Sequence, residues 1–566
     1  MLYPHNTNTL HLHKRCCQGT TPYEKNSKRN IMAAEPLTKH TPLESFINHK
    51  NETGMQCGNY SIDIPDLKPG EQYRFHFDAT ACVGCHCCEV ACNEQNANPD
   101  EIKWRRVGEM EMGAFPDTLQ LFNSMSCNHC IDPECLRGCP TESYIKLDNG
   151  IVWHDDPSCI GCQYCTWNCP YEVPVFNPDR GIVTKCHMCV DKLEAGQTPA
   201  CVQACPGGAI EIEAVNVEQW VAEDMAKEGV APHLPNIDIT KPTTRYTLPE
   251  IPEGEEIRPA DEHLLHPAHP ELPLVFMTVL TQVSVGAFLA LFLGQMLFTL
   301  GFNLPKPNLA MAILVFLPAA IGLPLSALHL GRPAKAMSAM KNWKTSWLSR
   351  EAIALGAYTG LATMVAGLYF LEIKGFLLLL VEAITLAIGL FGIYAQSMIY
   401  RIKARPSWNR KSTTKRFFGS GYVGFLLIAM VLLISNGAQG AMVLLAITLL
   451  AGMGQALVIL EEVMFYRHLD KGDELYYQYN RTRTLLQEHF GKVKKFRIYS
   501  LAVFALALPL LAITFTASGL VSLAIATLAI ATIGALLSEL AGRYLFYRTI
   551  VPLGLAGNFF AGNQRH

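Results

Sequence analysis

The stretch "ACVGCHCCEVAC", residues 81–92, fits two chemistries. Its C-x-x-C-H is the pattern for covalent attachment of a c-type haem. The same residues hold C-x2-C-x2-C-x3-C, the ligand run of a bacterial [4Fe-4S] ferredoxin. Three further cysteine groups decide between the two. The second is "CNHCIDPECLRGCP", with Cys127, Cys130, Cys135 and Cys139, and the third is "CIGCQYCTWNCP", with Cys159, Cys162, Cys165 and Cys169. The fourth is "CHMC" closed by "CVQACP", with Cys186, Cys189, Cys201 and Cys205. Together with Cys82, Cys85, Cys88 and Cys92 these are sixteen thiols in four sets of four, the stoichiometry of four [4Fe-4S] clusters. Three cysteines two residues apart wrap a loop around one cluster, and the fourth, having turned away, ligates the neighbouring one. Proline after it suits the exit from that turn. Zinc has no use for the third and fourth cysteines of such a run, disulfides require export, and haem would leave Cys88 and Cys92 idle. CVGCH is therefore a coincidence inside a ferredoxin motif, His86 is a polar residue of the loop, and Cys88 rather than Cys87 completes the run.

Motifs two and three start 32 residues apart and suit one compact two-cluster unit, which leaves motifs one and four as the outer pair. The expected ligand sets are Cys82, Cys85, Cys88 and Cys205; Cys186, Cys189, Cys201 and Cys92; Cys127, Cys130, Cys135 and Cys169; and Cys159, Cys162, Cys165 and Cys139. Every iron is then thiolate-ligated, with no open position for a substrate. Electrons pass through such a domain, and substrate chemistry happens elsewhere.

A chain of 566 residues exceeds one ordinary domain, and all 20 cysteines lie at or before Cys205, so two parts do different work. A net charge of -3 with half the residues hydrophobic argues against a nucleic-acid partner and toward a membrane. Residues 1–70 read as a polar, disordered extension, with Cys16, Cys17 and Cys57 as free thiols and neither a secretory pattern nor paired arginines near the start. The four-cluster domain spans 71–212, and a Pro-rich acidic linker without helical or strand period spans 213–272. Residues 273–562 carry eight apolar stretches near the length of about 20 residues that crosses a bilayer as helix. They fall at 274–300, 308–328, 352–371, 376–400, 418–435, 438–465, 498–516 and 519–541. The expected fold is an α+β double ferredoxin-like iron–sulfur domain followed by an all-α polytopic membrane bundle of eight helices.

The loops after the even-numbered stretches are basic, whereas the opposite loops carry Lys306, Lys374 and almost nothing else. The positive-inside rule puts the iron–sulfur domain, on the same side as the basic loops, on the cytoplasmic face of the inner membrane. A rival explanation is that these loops are basic because they dock an acidic iron–sulfur surface. The membrane half has only His329, His468 and His489 before His566, and the middle two fall in a loop, so no bis-histidine haem is expected. A quinone from the membrane pool is the expected redox partner. His329 and Glu351 flank the basic loop after the second stretch, at helix ends facing the iron–sulfur side, and are the expected proton carriers. Their structural alternatives are a helix cap and a pair with Arg350 or Arg332. Glu382, Glu461, Glu462 and Glu539 are weaker candidates, each equally readable as an interhelical contact.

Residues 75–212 resemble the four-cluster subunit of the dimethyl sulfoxide reductase family through "CNHC…P.C…CP" and "KCHMCVD". Residues 272–562 resemble the membrane anchor of the same complexes through "HLGRP", "NWKTSWLSRE", "ARPSWN" and "GRYLFYRTIVP". The chain looks like a fusion of two subunits that are usually separate. The resemblance implies a large catalytic partner carrying molybdopterin, quinone chemistry near His329 and Glu351, and the nested ligand pairing given above. It leaves open a reductase against a quinone-reducing dehydrogenase such as one for sulfite. Two other readings stand beside it: the iron–sulfur/quinone module of a hydrogenase or other respiratory complex without molybdenum, and a metal-binding structural or sensor module.

Overall fold

A computed structural model describes residues 64–554 apart from 115, 251–256, 261–264, 302–306 and 438–440. Residues 1–63 of the expected extension, with Cys16, Cys17 and Cys57, and the expected loop charge Lys306 lie outside the described residues. The cysteine-rich half is a set of small sheets with short helices between them. Strand β1 (Glu71–Asp78) buries Phe75 and Phe77. Strands β2 (Arg106–Ala114) and β3 (Asp117–Met125) form an antiparallel pair. Two short hairpins follow, β4 (Tyr144–Lys146) with β5 (Val152–His154) and β6 (Val175–Asn177) with β7 (Ile182–Thr184). Strand β8 (Ile210–Asn216), with Ile210 and Ile212 inward, pairs antiparallel to β1 with Phe77 opposite Ile210.

That register explains the nested arrangement. β1 ends four residues before Cys82 and β8 begins five after Cys205, so pairing the strands draws the last cysteine of the fourth motif to the first motif. The β4–β5 hairpin does the same for Cys139 and Cys159, each five residues from its strand.

The segment read as a linker differs from expectation. Its residues 245–247 form β9 (Arg245–Thr247), parallel to β1, and Arg258–Pro259 form β10, paired with β2. Trp220 is 1% exposed, and its indole N–H donates to the Pro242 carbonyl. These strands are too short for a period to register, and their partners lie more than a hundred residues away, so only tertiary contact selects them.

Among the described residues the second half has eight helices long and apolar enough to cross a membrane: Leu272–Thr299, Leu309–His329, Trp347–Phe370, Phe376–Tyr400, Lys411–Ser435, Ala441–Arg467, Gly491–Ala517 and Val521–Arg548. Four of them run several residues beyond the apolar stretches, always at the end nearest the iron–sulfur domain: Trp347, Lys411 and Gly491 start earlier, and Arg548 ends later. Hydropathy marks the hydrocarbon layer, while the helix continues through the interface on polar residues.

Candidate functional site

Each cysteine loop turns through left-handed backbone. Gly84 and His86 in the first motif, Gly161 and Gln163 in the third, His129 in the second, and Met188 with Cys189 in the fourth all have positive φ. These turns fold each loop inward so that its sulfurs converge. Cys82, Cys85, Cys88 and Cys205 line one small cavity, while Cys87 is exposed. Gly207 permits that closure, since a Cβ there would stand 2.6 Å from the Ala81 carbonyl oxygen. Cys127, Cys130, Cys135 and Cys169 line another cavity. Cys92 faces Cys186, Cys201 and Cys189, and burial followed by their repulsion raises its pKa. Cys165 faces Cys162, Cys159 and Cys139 and is raised for the same reasons.

Two of the expected sets thus each line one cavity, and in the other two Cys92 and Cys165 lie beside the thiols expected to join them. Main-chain N–H groups donate to several sulfurs: Ser143 to Cys139 at 3.3 Å, Gly161 to Cys159 at 3.4 Å, Met188 to Cys186 at 3.4 Å and Ala209 to Cys205 at 3.2 Å. Buried thiols that would repel one another as thiolates suit positive iron, which deprotonates its ligands on binding. The donor set fits [4Fe-4S] clusters.

Cations sit between the groups. Arg105 is fully buried, hydrogen-bonded to Ser124 and Ser126; burial opposes its charge, but Cys201, Cys88, Cys186 and Cys92 around it raise its pKa. Lys185 donates to the Cys186 carbonyl at 2.8 Å and lies 3.7 Å from Cys127 Sγ, so it joins the second and third ligand sets. Beside Cys159, burial depresses His154, but Asp156 at 2.8 Å and the thiol outweigh it and raise its pKa.

The third motif rests on the membrane half. The Gly331 and Arg332 N–H groups donate to the Gly161 and Ile160 carbonyls at 3.3 and 3.0 Å. A Cβ on Gly331 would stand 2.2 Å from the Gly181 carbonyl oxygen, so glycine lets three backbones meet. Asn342 donates to the Cys139 carbonyl, Ser346 to that of Gly138, and Tyr164 to that of Ile399. Arg405 pairs with Glu172 at 2.6 Å.

His329 ends the second span with Nδ1 against the Ser326 carbonyl; Glu271 and the Cys162 main chain also face it. Glu351 is buried and accepts from Gln396 at 2.9 Å. Gln396 in turn accepts from Gln282 at 2.7 Å, and Gln282 accepts from Arg543 at 2.9 Å. No hydrogen bond joins His329 to Glu351, and neither pairs with Arg332 or Arg350. A cavity of about 260 Å³ has walls that include Trp167, Glu271, Arg405, Trp408 and Tyr547, and neither His329 nor Glu351 lines it.

The weaker candidates have partners of their own. Glu461 pairs with Lys415, Glu462 with Arg416, and Glu539 with Arg497 at 2.9 Å. Glu382 accepts from Tyr369 at the membrane end remote from the cysteines. Sequence reading missed Gln282, Gln396 and Arg543. The glutamines are uncharged and escape a search for ionisable residues, and Arg543 falls past the eighth apolar stretch, in what reads as a loop, though it is 2% exposed within the helix.

Comparison with known proteins places these halves. Residues 118–215, holding the second to fourth motifs, match a 4Fe-4S dicluster domain, and residues 265–549 match the DMSO reductase anchor subunit family. The protein is 36% identical over 181 residues to the B subunit of anaerobic dimethyl sulfoxide reductase from Haemophilus influenzae, covering 30% of this sequence and 87% of that subunit. The corresponding Escherichia coli subunit is 36% identical over 179 residues, 30% of this sequence and 86% of its own. The formate dehydrogenase-O iron-sulfur subunit of Escherichia coli is 38% identical over 171 residues, 27% and 56% respectively. An iron–sulfur domain of the kind these relatives carry as a separate subunit, continuous with eight apolar helices, makes an electron-transfer and membrane-anchor subunit of an oxidoreductase complex. The chain belongs to the DMSO reductase anchor subunit family, with its 4Fe-4S dicluster domain fused in front.

Proposed function

We propose that this chain carries electrons between a membrane quinone and a separate molybdopterin-bearing catalytic subunit, through four [4Fe-4S] clusters held by the sixteen cysteines. The observation that carries the reading is the seating of the third motif directly on the helix ends that bear His329 and Glu351. Bound at the four thiol groups, the clusters supply one-electron relay. The residues of the chain do the rest. Arg105 and Lys185 offset negative charge between neighbouring ligand sets. Gln396 orients the Glu351 carboxylate, which holds a proton for quinone chemistry, and His329 holds the second at the edge of the Cys162 loop. The catalytic partner bears the substrate site, because every thiol group here is complete.

The iron–sulfur domain faces the cytoplasm in this reading. Several basic residues are withdrawn from the orientation signal, since Arg332 and Arg405 dock the iron–sulfur domain while Arg416, Arg497 and Arg543 are buried in the bundle. Lys344, Lys403, Lys411, Lys492 and Lys495 remain exposed at that end, which still supports the positive-inside reading.

The test is a mild-detergent pull-down of the tagged chain from native membranes, with molybdenum analysis and mass spectrometry of the largest partner. A molybdenum subunit without a twin-arginine signal is the expected result. A molybdenum partner with that signal reverses the orientation, and a partner without molybdenum overturns the reading in favour of a respiratory module of another kind.

A further inference from the structure

A second cavity, of about 60 Å³, lies among the fifth to eighth spans at the end nearest the iron–sulfur domain, and nothing in the proposed electron path uses it. One wall is apolar, with Ile459, Val463, Leu486 and Leu545. The other carries Arg410, Arg416, Lys494 and Arg497 against a single lining carboxylate, Glu462. Arg416 is committed to Glu462 at 3.0 Å and Arg497 to Glu539 at 2.9 Å. Arg410 and Lys494, both half-buried, have no carboxylate partner among the described residues; Arg410 lies over the Phe465 ring at 3.4 Å.

One buried polar atom on the lining, Thr482 Oγ1 in a residue 2% exposed, lacks a partner among the described residues. Leaving such groups unsatisfied is costly. The first turns of the helices Lys411–Gly419 and Gly491–Leu501 bring Ser412, Thr413 and Lys494 to the same cavity, and helix starts favour negative charge. The ligand that satisfies this set is an anion with several acceptor oxygens and an apolar portion beside it. The level is that of span ends, where lipid headgroups lie.

We propose that this cavity binds the phosphate of an anionic glycerophospholipid. Basic pockets between membrane helices take such headgroups, and here Arg410 and Lys494 supply charge that no carboxylate among the described residues neutralises. The bound lipid ties the fifth and seventh spans together at the interface.

The test uses the full-length complex in nanodiscs of phosphatidylcholine containing a minor fraction of phosphatidylglycerol, with co-purifying lipid read by mass spectrometry after detergent extraction. Wild type is expected to retain phosphatidylglycerol in excess of its membrane fraction. Arg410→Gln with Lys494→Gln is expected to weaken retention by about tenfold or more, the scale for two interfacial cations. Arg410→Lys with Lys494→Arg keeps both charges and is expected to retain the lipid, which separates loss of charge from loss of fold. Retention by the double glutamine variant at the wild-type level overturns the proposal. So does loss of that enrichment on addition of millimolar inorganic phosphate, which assigns the cavity to the free ion.

Discussion

At the scale of single residues, the nested arrangement makes Cys139 the most discriminating cysteine. It lies in the second motif but groups with Cys159, Cys162 and Cys165. Cys139→Ser is expected to alter the EPR signal of the cluster held by the third motif, leaving that of Cys127, Cys130 and Cys135 intact; the reverse pattern refutes the pairing. Among the described side chains Glu351 is held by Gln396 alone. Glu351→Gln is expected to slow quinol-linked turnover by about a hundredfold, the scale of general acid–base catalysis, while dye-coupled activity persists. Equal loss of both activities removes Glu351 from proton transfer and gives it a structural role. The four cysteine motifs were legible in the sequence because ligand spacing within a motif is local. The Gln282–Gln396 relay was not, since a glutamine in an apolar helix acquires meaning only from the neighbour that it meets.

At the scale of elements, two contacts carry distinct consequences. The loop between the second and third spans meets the third motif through backbone at Gly331, where a Cβ would be 2.2 Å from the Gly181 oxygen. Gly331→Ala is expected to push the loops apart, at a cost of about 1–3 kcal/mol typical of overpacking. Thermal unfolding of the iron–sulfur domain within the intact chain measures it, and an unchanged midpoint means that the interface yields freely. Inside the bundle, Arg497 and Glu539 are 4% and 2% exposed in their side chains, and Ser420 and Gln455 also bond the carboxylate. Glu539→Leu leaves a buried guanidinium uncompensated and is expected to destabilise by about 3–5 kcal/mol, whereas adding Arg497→Met recovers much of the loss. Denaturant titration of the two variants in the same detergent decides this, and equal stability of single and double variants rejects it.

At the scale of the whole molecule, the two halves draw stability from different sources. The core of the iron–sulfur half includes Cys88, Cys92, Cys127, Cys130, Cys186 and Cys201 among its buried side chains, so its packing is built around the ligand positions. The apolar core of the membrane half runs along its helices and takes in Ile160, Cys162 and Tyr164 of the third motif. Iron starvation during expression is therefore expected to leave residues 64–270 open to protease while the eight spans stay inserted and resistant. Immunoblotting of protease-treated membranes with an antibody to each half reads the result. Equal resistance in both means that the iron–sulfur half folds without its metal.

By itself the sequence determined the sixteen ligand candidates, the nesting that their spacing suggests, and the eight spans, because metal-ligand geometry and bilayer thickness are each written in a short local pattern. Only the tertiary structure decided what the Pro-rich segment does, since β9 and β10 exist through partners far along the chain. It alone separated the arginines that dock or pair from the lysines left at the surface. Charge in a sequence carries no burial, and burial decides whether a cation orients a helix, seals a contact or waits for an anion.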